Sequence, residues 1–162
     1  MVRMAIFLIF LTIGAAGGLF YFVSTVEHDA AVWHVDPLTV PQSVQPHSFR
    51  MAPPALTEEF VDRPSPVYTV NPTLMAKAFD DYVLRQPKTK RIAGSPEEGW
   101  MTYVQRSQSL NLPDYISVKF IDLNGGNSTI AIYSQSRFGY DDLGVNEKRV
   151  LAWVNTLQSF EQ

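Results

Sequence analysis

The residues best equipped for chemistry lie together near the C-terminal end, in Tyr133-Ser-Gln-Ser-Arg-Phe-Gly-Tyr-Asp-Asp-Leu-Gly-Val-Asn-Glu-Lys-Arg149. This run holds two arginines, two adjacent aspartates, two glycines, an asparagine and two tyrosines. The planar fork of arginine suits carboxylate or phosphate, so Arg137 and Arg149, joined by Arg106 from upstream, could form an anion pocket. Asp141 and Asp142 could do acid–base work or hold a hard cation, although adjacent residues rarely aim at one point unless the loop turns sharply.

A structural reading competes and is favoured. Gly139 and Gly144 provide turn geometry between a strand and a helix. Asp142 bonds the free backbone donors at the helix start, and Asn146 caps the helix or bonds a neighbouring loop. Arg137 and Arg149 then reach Asp141 or Asp142 as an ion-pair knot. No phosphate loop, dinucleotide fingerprint, Ser-centred elbow or CxxC motif occurs. His28, His34 and His47 lack zinc-ligand spacing. The expectation is therefore no catalytic residue, no cofactor and no metal. His34, in Trp33-His-Val-Asp-Pro37, is expected near Asp36 in a polar juncture at the membrane surface.

A membrane is implied by Met4–Val26, which carries no charge and is long enough to cross a hydrocarbon core of about 30 Å. Gly14-Ala15-Ala16 would suit signal peptidase, but cleavage there would leave Gly17-Gly-Leu-Phe-Tyr-Phe-Val23 as an apolar N-terminus, so an uncleaved anchor is preferred. Arg3 precedes the span while Glu27 and Asp29 follow it, which keeps the N-terminus in the cytoplasm and exports the remainder; in a Gram-negative bacterium the span would lie in the inner membrane and the domain would face the periplasm. Gly14 and Gly18 have the Gly-x-x-x-Gly spacing that allows a homodimer through the span. Beyond the span, 12 basic and 16 acidic residues argue against nucleic acid and against strong attraction to anionic lipid.

Residues 27–65 read as a proline-rich connector with little regular structure, partly draped on the surface. The domain, 66–162, opens with a strand at Val67–Val70, then a helix capped by Asn71 with Pro72 at its first position and running to Arg85. Lys88, Lys90 and Arg91 form a basic cluster read as a solvated strand edge. Strands follow at Trp100–Arg106, Tyr115–Leu123 and Ser128–Ser136, the last two joined by the Asn124-Gly-Gly-Asn127 turn. Pairing across that turn sets Phe120 opposite Ala131, Val118 opposite Tyr133 and Asp114 opposite Arg137. A closing helix spans Val145–Phe160. The order implies a two-layer α+β domain, an antiparallel sheet with both helices on one face.

Ser134-Gln-Ser-Arg-Phe-Gly-Tyr-Asp-Asp-Leu-Gly-Val-Asn-Glu-Lys-Arg-Val150 resembles the C-terminal hallmark of the domain of unknown function 1499 family. Thr102-Tyr-Val-Gln-Arg-Ser107, Pro113-Asp-Tyr-Ile-Ser-Val118 and Trp33-His-Val-Asp-Pro37 are similar to the variant typical of alphaproteobacteria. Many members carry a Pro-Asn-Cys-Val-type segment, whereas this chain has no cysteine, so no cysteine role transfers. The resemblance implies a small exported or membrane-anchored domain with no established activity, and carries over only Arg137, Gly139, Asp142, Gly144, Asn146 and Arg149. The leading expectation is a non-catalytic accessory module that recognises a protein partner or a small anionic ligand at 134–149. The rivals are a hydrolase or lipid-modifying enzyme using Asp142 with Arg106 or Tyr140, and a structural subunit of a membrane complex.

Overall fold

The computed structural model describes Val2–Glu161; Met1 and Gln162, the outermost residues of the expected cytoplasmic stub and of the domain, lie outside the described residues. Helix α1 (Val2–Thr25) is long and apolar enough to cross a membrane, and all of it is exposed except at its C-terminal end, where Val23 is buried. A single turn, α2 (Ala30–Trp33), follows, capped by the Asp29 carboxylate, which accepts from the Ala31 amide.

The domain is built on strands β1 (Ser48–Ala52), β2 (Arg63–Pro64), β3 (Val67–Tyr68), β4 (Thr89–Ser95), β5 (Trp100–Arg106), β6 (Pro113–Asn124) and β7 (Asn127–Ser136). They form one sheet in the order β2-β1-β7-β6-β5-β4, with β3 also on β7. The pairs are antiparallel except β1 with β2, which makes the sheet mixed. Helices α3 (Pro72–Val83) and α4 (Val145–Val154) lie on one face. Asn71 caps α3 as its side chain predicts, accepting from the Thr73 and Leu74 amides. Met75, Phe79 and Val83 of α3 join Val150, Trp153 and Val154 of α4 over the inward row Met101, Tyr103, Ile116, Val118, Ile130 and Ile132. The closing helix ends at Val154 and tightens into a 3₁₀ segment, Asn155–Phe160.

Three expectations need correction. The proline-rich stretch is not irregular throughout: Ser-Phe-Arg-Met-Ala, the longest proline-free run between Pro46 and Pro53, supplies β1, buried beside β7. Only its flanks carry the prolines that a strand interior would reject. Thr89–Ser95, where no full strand was expected, forms β4; it is the edge of the sheet, with Lys90 and Arg91 exposed on it. The β6–β7 register is one residue off the expected one. Asn124 pairs Asn127 across Gly125 and Gly126, both at positive φ, but an irregularity between Asp122 and Asn124 shifts the rest. Phe120 therefore faces Ile130, Val118 faces Ile132 and Asp114 faces Ser136. A one-residue slip exchanges the faces of a strand, and this one puts Ile130 and Ile132 in the core and turns Tyr133 outward.

The second face of the sheet is covered by residues 27–47, which act as a strap. Trp33 stacks on Tyr115, with ring centroids 3.8 Å apart and an interplanar angle of 7°. His34 stacks on Trp100 and hydrogen-bonds with Thr102 Oγ1 at 2.8 Å. Lys119 reaches Asp36 at 2.5 Å, and the Ser43 amide donates to the Tyr133 hydroxyl at 3.0 Å. His34 thus sits against the sheet. Its contact with Asp36 is replaced by Thr102.

Candidate functional site at the strand-helix corner

The segment 134–149 lies where β7 leaves the sheet and turns into α4, at the end of the sheet nearest α1. Gly139 and Gly144 have φ of +96° and +73°, the left-handed conformations that this double turn needs. Asp142 occupies the helix start. Its Oδ1 accepts from the Gly144 amide at 3.0 Å and its Oδ2 from the Asn146 amide at 2.7 Å. Asp141 Oδ1 accepts from the Leu143 amide at 2.7 Å.

The two arginines do not meet. Arg149 points into the helix-side core, where it donates from Nη2 to Asp114 Oδ2 (2.5 Å), from Nη1 to Asn146 Oδ1 (2.6 Å) and Ser134 Oγ (3.2 Å), and from Nε to Gln105 Oε1 (2.6 Å). Asn146, fully buried, also donates from Nδ2 to the His47 carbonyl (2.9 Å) and Ser136 Oγ (3.1 Å). Arg137 is on the other face. It donates to the Glu27 carbonyl (2.8 Å) and the Tyr115 hydroxyl (3.1 Å), with its guanidinium 5.5 Å from the rings of both Trp33 and Phe138. A knot therefore exists, but its acid is Asp114, and neither aspartate of the pair takes part. The register shift contributes through Arg137: Ser136 stands opposite Asp114 in its place, so Arg137 falls on the other face while Asp114, in line with Ile116 and Val118, faces α4.

Arg106 serves helix α1. Its Nη1 donates to the Val23 carbonyl (2.9 Å) and the Asn111 carbonyl (2.8 Å), and its Nη2 contacts His28 Nε2 (3.1 Å). The Val23 carbonyl is one of the last four of α1, which have no partner within the helix. Phe22 meets Phe138 edge-on, and Asn111 donates to Ser24 Oγ at 3.2 Å. Burial, then Arg106, Arg137 and Lys90, hold the His28 imidazole below the ordinary histidine range. Tyr140 is exposed and Asp142 is engaged with the backbone, so Asp142, Arg106 and Tyr140 do not converge.

What the corner does present is a groove of about 620 Å³, lined by the 42–48 segment, Phe60, Asp62, Asp141, Asp142 and Glu147. Its charge is acidic, and Val44 and Phe60 stand exposed on its rim. Among the described residues no three of His, Asp and Glu are placed to hold a metal ion. One buried charge had no functional signal in the sequence. Arg50 of β1 is fully buried under the strap, donating to the carbonyls of Phe60 (3.1 Å) and Val40 and lying 4.7 Å from the Tyr133 ring. The only clue was its place between Phe49 and Met51, on the opposite parity.

The molecule is thus a small α+β domain, strapped on one sheet face and clasped to an apolar helix that could span a membrane. The chain belongs to the family described as protein of unknown function (DUF1499), whose model matches residues 34–157. The match begins in the strap and ends in the closing helical segment, so strap, sheet and corner are the shared unit. No curated protein matches the chain.

Proposed function

We propose that this protein is a single-pass accessory module of a bacterial inner membrane, with its N-terminus in the cytoplasm and its domain in the periplasm, and that it works by binding rather than catalysis. The bound partner is a protein segment, extended and basic, laid in the groove at the strand–helix corner. The observation that carries this reading is the groove itself: four carboxylates, Asp62, Asp141, Asp142 and Glu147, around exposed Val44 and Phe60. Such a surface suits a cationic chain with an apolar residue. It does not suit the small anion that the arginines suggested, because Arg137 and Arg149 are both engaged within the protein.

A photo-crosslinking residue placed at Val44 tests the reading in cells. One partner captured there and again from Phe60, absent from Gly126 at the far end of the sheet, and lost in a Asp62→Asn/Glu147→Gln variant, is the expected result. Equal capture from position 126, or capture indifferent to the charge changes, would overturn it. A second reading, a structural subunit assembled through the span, is favoured by the placement of Gly14 and Gly18. Neither has an atom within 4 Å of its would-be Cβ. They lie roughly 160° around α1 from Ala16, which lines the side of the helix facing the domain. That face is free for a second helix.

A further inference from the structure

We propose that the junction of α1 and the domain is a binding site for one anionic phospholipid of the adjoining leaflet, with an acyl chain below and its phosphate above. The inference rests on the reading of α1 as a membrane span. Between α1 and the domain runs a crevice of about 350 Å³, walled by Ala16, Leu19 and Val23 on one side and by Leu110, Leu112 and Phe138 on the other. The helix residues recur at i, i+3 and i+7, one stripe of the helix.

Arithmetic places this crevice within hydrocarbon. From Met4, the first residue beyond the charge of Arg3, to Ala15 there are 12 residues, about 18 Å of helix against the ~30 Å of a bilayer core. A helix that spans must therefore use Ala16–Val23 as well. The loops that pack on those residues, through Leu110, Leu112 and Phe138, lie at the same depth, and Leu110 is 60% exposed. Such exposure on neighbouring loops fits lipid contact better than water.

Immediately on the aqueous side is a second hollow, about 270 Å³, lined by His28, Lys88, Lys90, Val104 and Arg106. The two share a wall. Arg106 donates to the Val23 carbonyl and to the Asn111 carbonyl between Leu110 and Leu112, and Lys88 Nζ donates to the Ser107 and Gln108 carbonyls of the same loop. Lys90 is exposed, and its side chain makes no hydrogen bond or ion pair among the described residues. Burial first, and then the charges of Arg106, Arg137 and Lys90, hold the His28 imidazole low, in keeping with the basic lining of this hollow. The sequence of chemistry along the membrane normal, apolar crevice, arginine boundary, basic hollow, is that of a phospholipid. The domain is acidic overall and Glu27 and Asp29 flank His28 in the chain, but no carboxylate lines either hollow.

The absence of cysteine makes the test direct. Single-cysteine variants Leu110→Cys, Ile9→Cys and Glu98→Cys of the full chain are labelled with a small fluorophore and reconstituted in phosphatidylcholine vesicles. Chain-spin-labelled phosphatidylglycerol or phosphatidylcholine is added at equal mole fraction as quencher. The label at position 9 is quenched by both and the label at 98, on the distal loop, by neither. At position 110 phosphatidylglycerol quenches about threefold more than phosphatidylcholine. Lys90→Gln reduces that ratio, and adding Lys88→Gln brings it to one. Lys90 braces nothing, so its effect cannot come from collapse of the loop. No quenching at 110 with quenching at 9 overturns the site and leaves the anchor standing. Equal quenching by the two lipids, or a ratio unchanged in the double variant, overturns it too. No quenching at 9 removes anchor and site together.

Discussion

Replacing Arg149 by methionine separates a bracing role from a ligand role at the corner. Arg149 and Asp114 are 2.5 Å apart with 6% and 8% of their side chains exposed. Deleting the cation leaves the Asp114 carboxylate buried without its counter-charge and takes a donor each from Asn146, Ser134 and Gln105. Breaking a buried pair from one side costs about 3–5 kcal/mol, and for a domain of this size ~3 °C of Tm follows per kcal/mol. The expected fall is about 9–15 °C, followed by near-UV circular dichroism of the full chain in detergent, where the packed Trp153 is a local reporter. Asp114→Leu should fall by a similar amount. The double variant should cost less than the sum of the two by about 2–3 kcal/mol, because neither charge is left stranded. A loss under ~4 °C for Arg149→Met, or additive single effects, would refute the bracing assignment. Loss of partner capture at unchanged Tm would return Arg149 to the ligand-binding role.

Four further outcomes are expected. Burial depresses His34, and burial with neighbouring Arg106 depresses His28; the unfolded chain therefore takes up protons first, and stability is full above about pH 6.5 and falls as pH drops from there. Thermal scans between pH 7.5 and 5.0 should show this loss, and His34→Gln should lessen it. Gly94→Ala should destabilise by about 2 kcal/mol or more, since its φ is +74° and a Cβ would stand 1.8 Å from the Trp100 carbonyl oxygen. Gly99→Ala, whose Cβ would meet nothing nearer than 3.5 Å, should cost about 1 kcal/mol by urea unfolding. Trp33→Ala removes the stack on Tyr115 and should cost about 1–3 kcal/mol, read as faster limited proteolysis within residues 34–47. Asp142→Ala uncovers the amides of Gly144 and Asn146 and should cost about 1 kcal/mol in the same unfolding assay.

What was legible in the sequence was whatever local chemistry decides. The Asn71-Pro72 start of α3, the Gly125-Gly126 turn, the capping aspartate at α4 and an apolar helix long enough to span a membrane each depend on a few adjacent residues. The register of β6 against β7 was not, because a single extra residue near Leu123 decides it. That one residue also moved Arg137 off the face it would have shared with Asp114, whose partner is Arg149, 35 positions away. β1 was hidden by its surroundings: prolines at 46 and 53 made the whole stretch look irregular, though Phe49-Arg-Met-Ala52 lies fully buried between them. The strap was hidden differently. Trp33 and His34 read as a juxtamembrane feature until Tyr115 and Trp100 are seen beneath them.

The crowding of specific residues between Ser134 and Arg149 has a physical explanation in these pairings. Each ends on a different piece of chain: Arg137 on Glu27 and Tyr115, Phe138 on Phe22, Asn146 on His47, and Arg149 on Gln105 and Asp114. The corner is where anchor, strap, sheet and closing helix are joined, so a loop that must satisfy all four has little sequence freedom. A ligand site needs side chains left over from that task. Those that remain, Tyr140, Leu143 and Glu147, point outward, and the carboxylate of Asp141 lines the groove. Because Arg106 and Phe138 hold α1 against the same corner, the domain cannot swing on a free tether. With α1 in a bilayer as proposed, the groove would keep one height and heading above it. The partner proposed for it would then present its basic segment close to the membrane surface, which favours another membrane protein over a freely diffusing one.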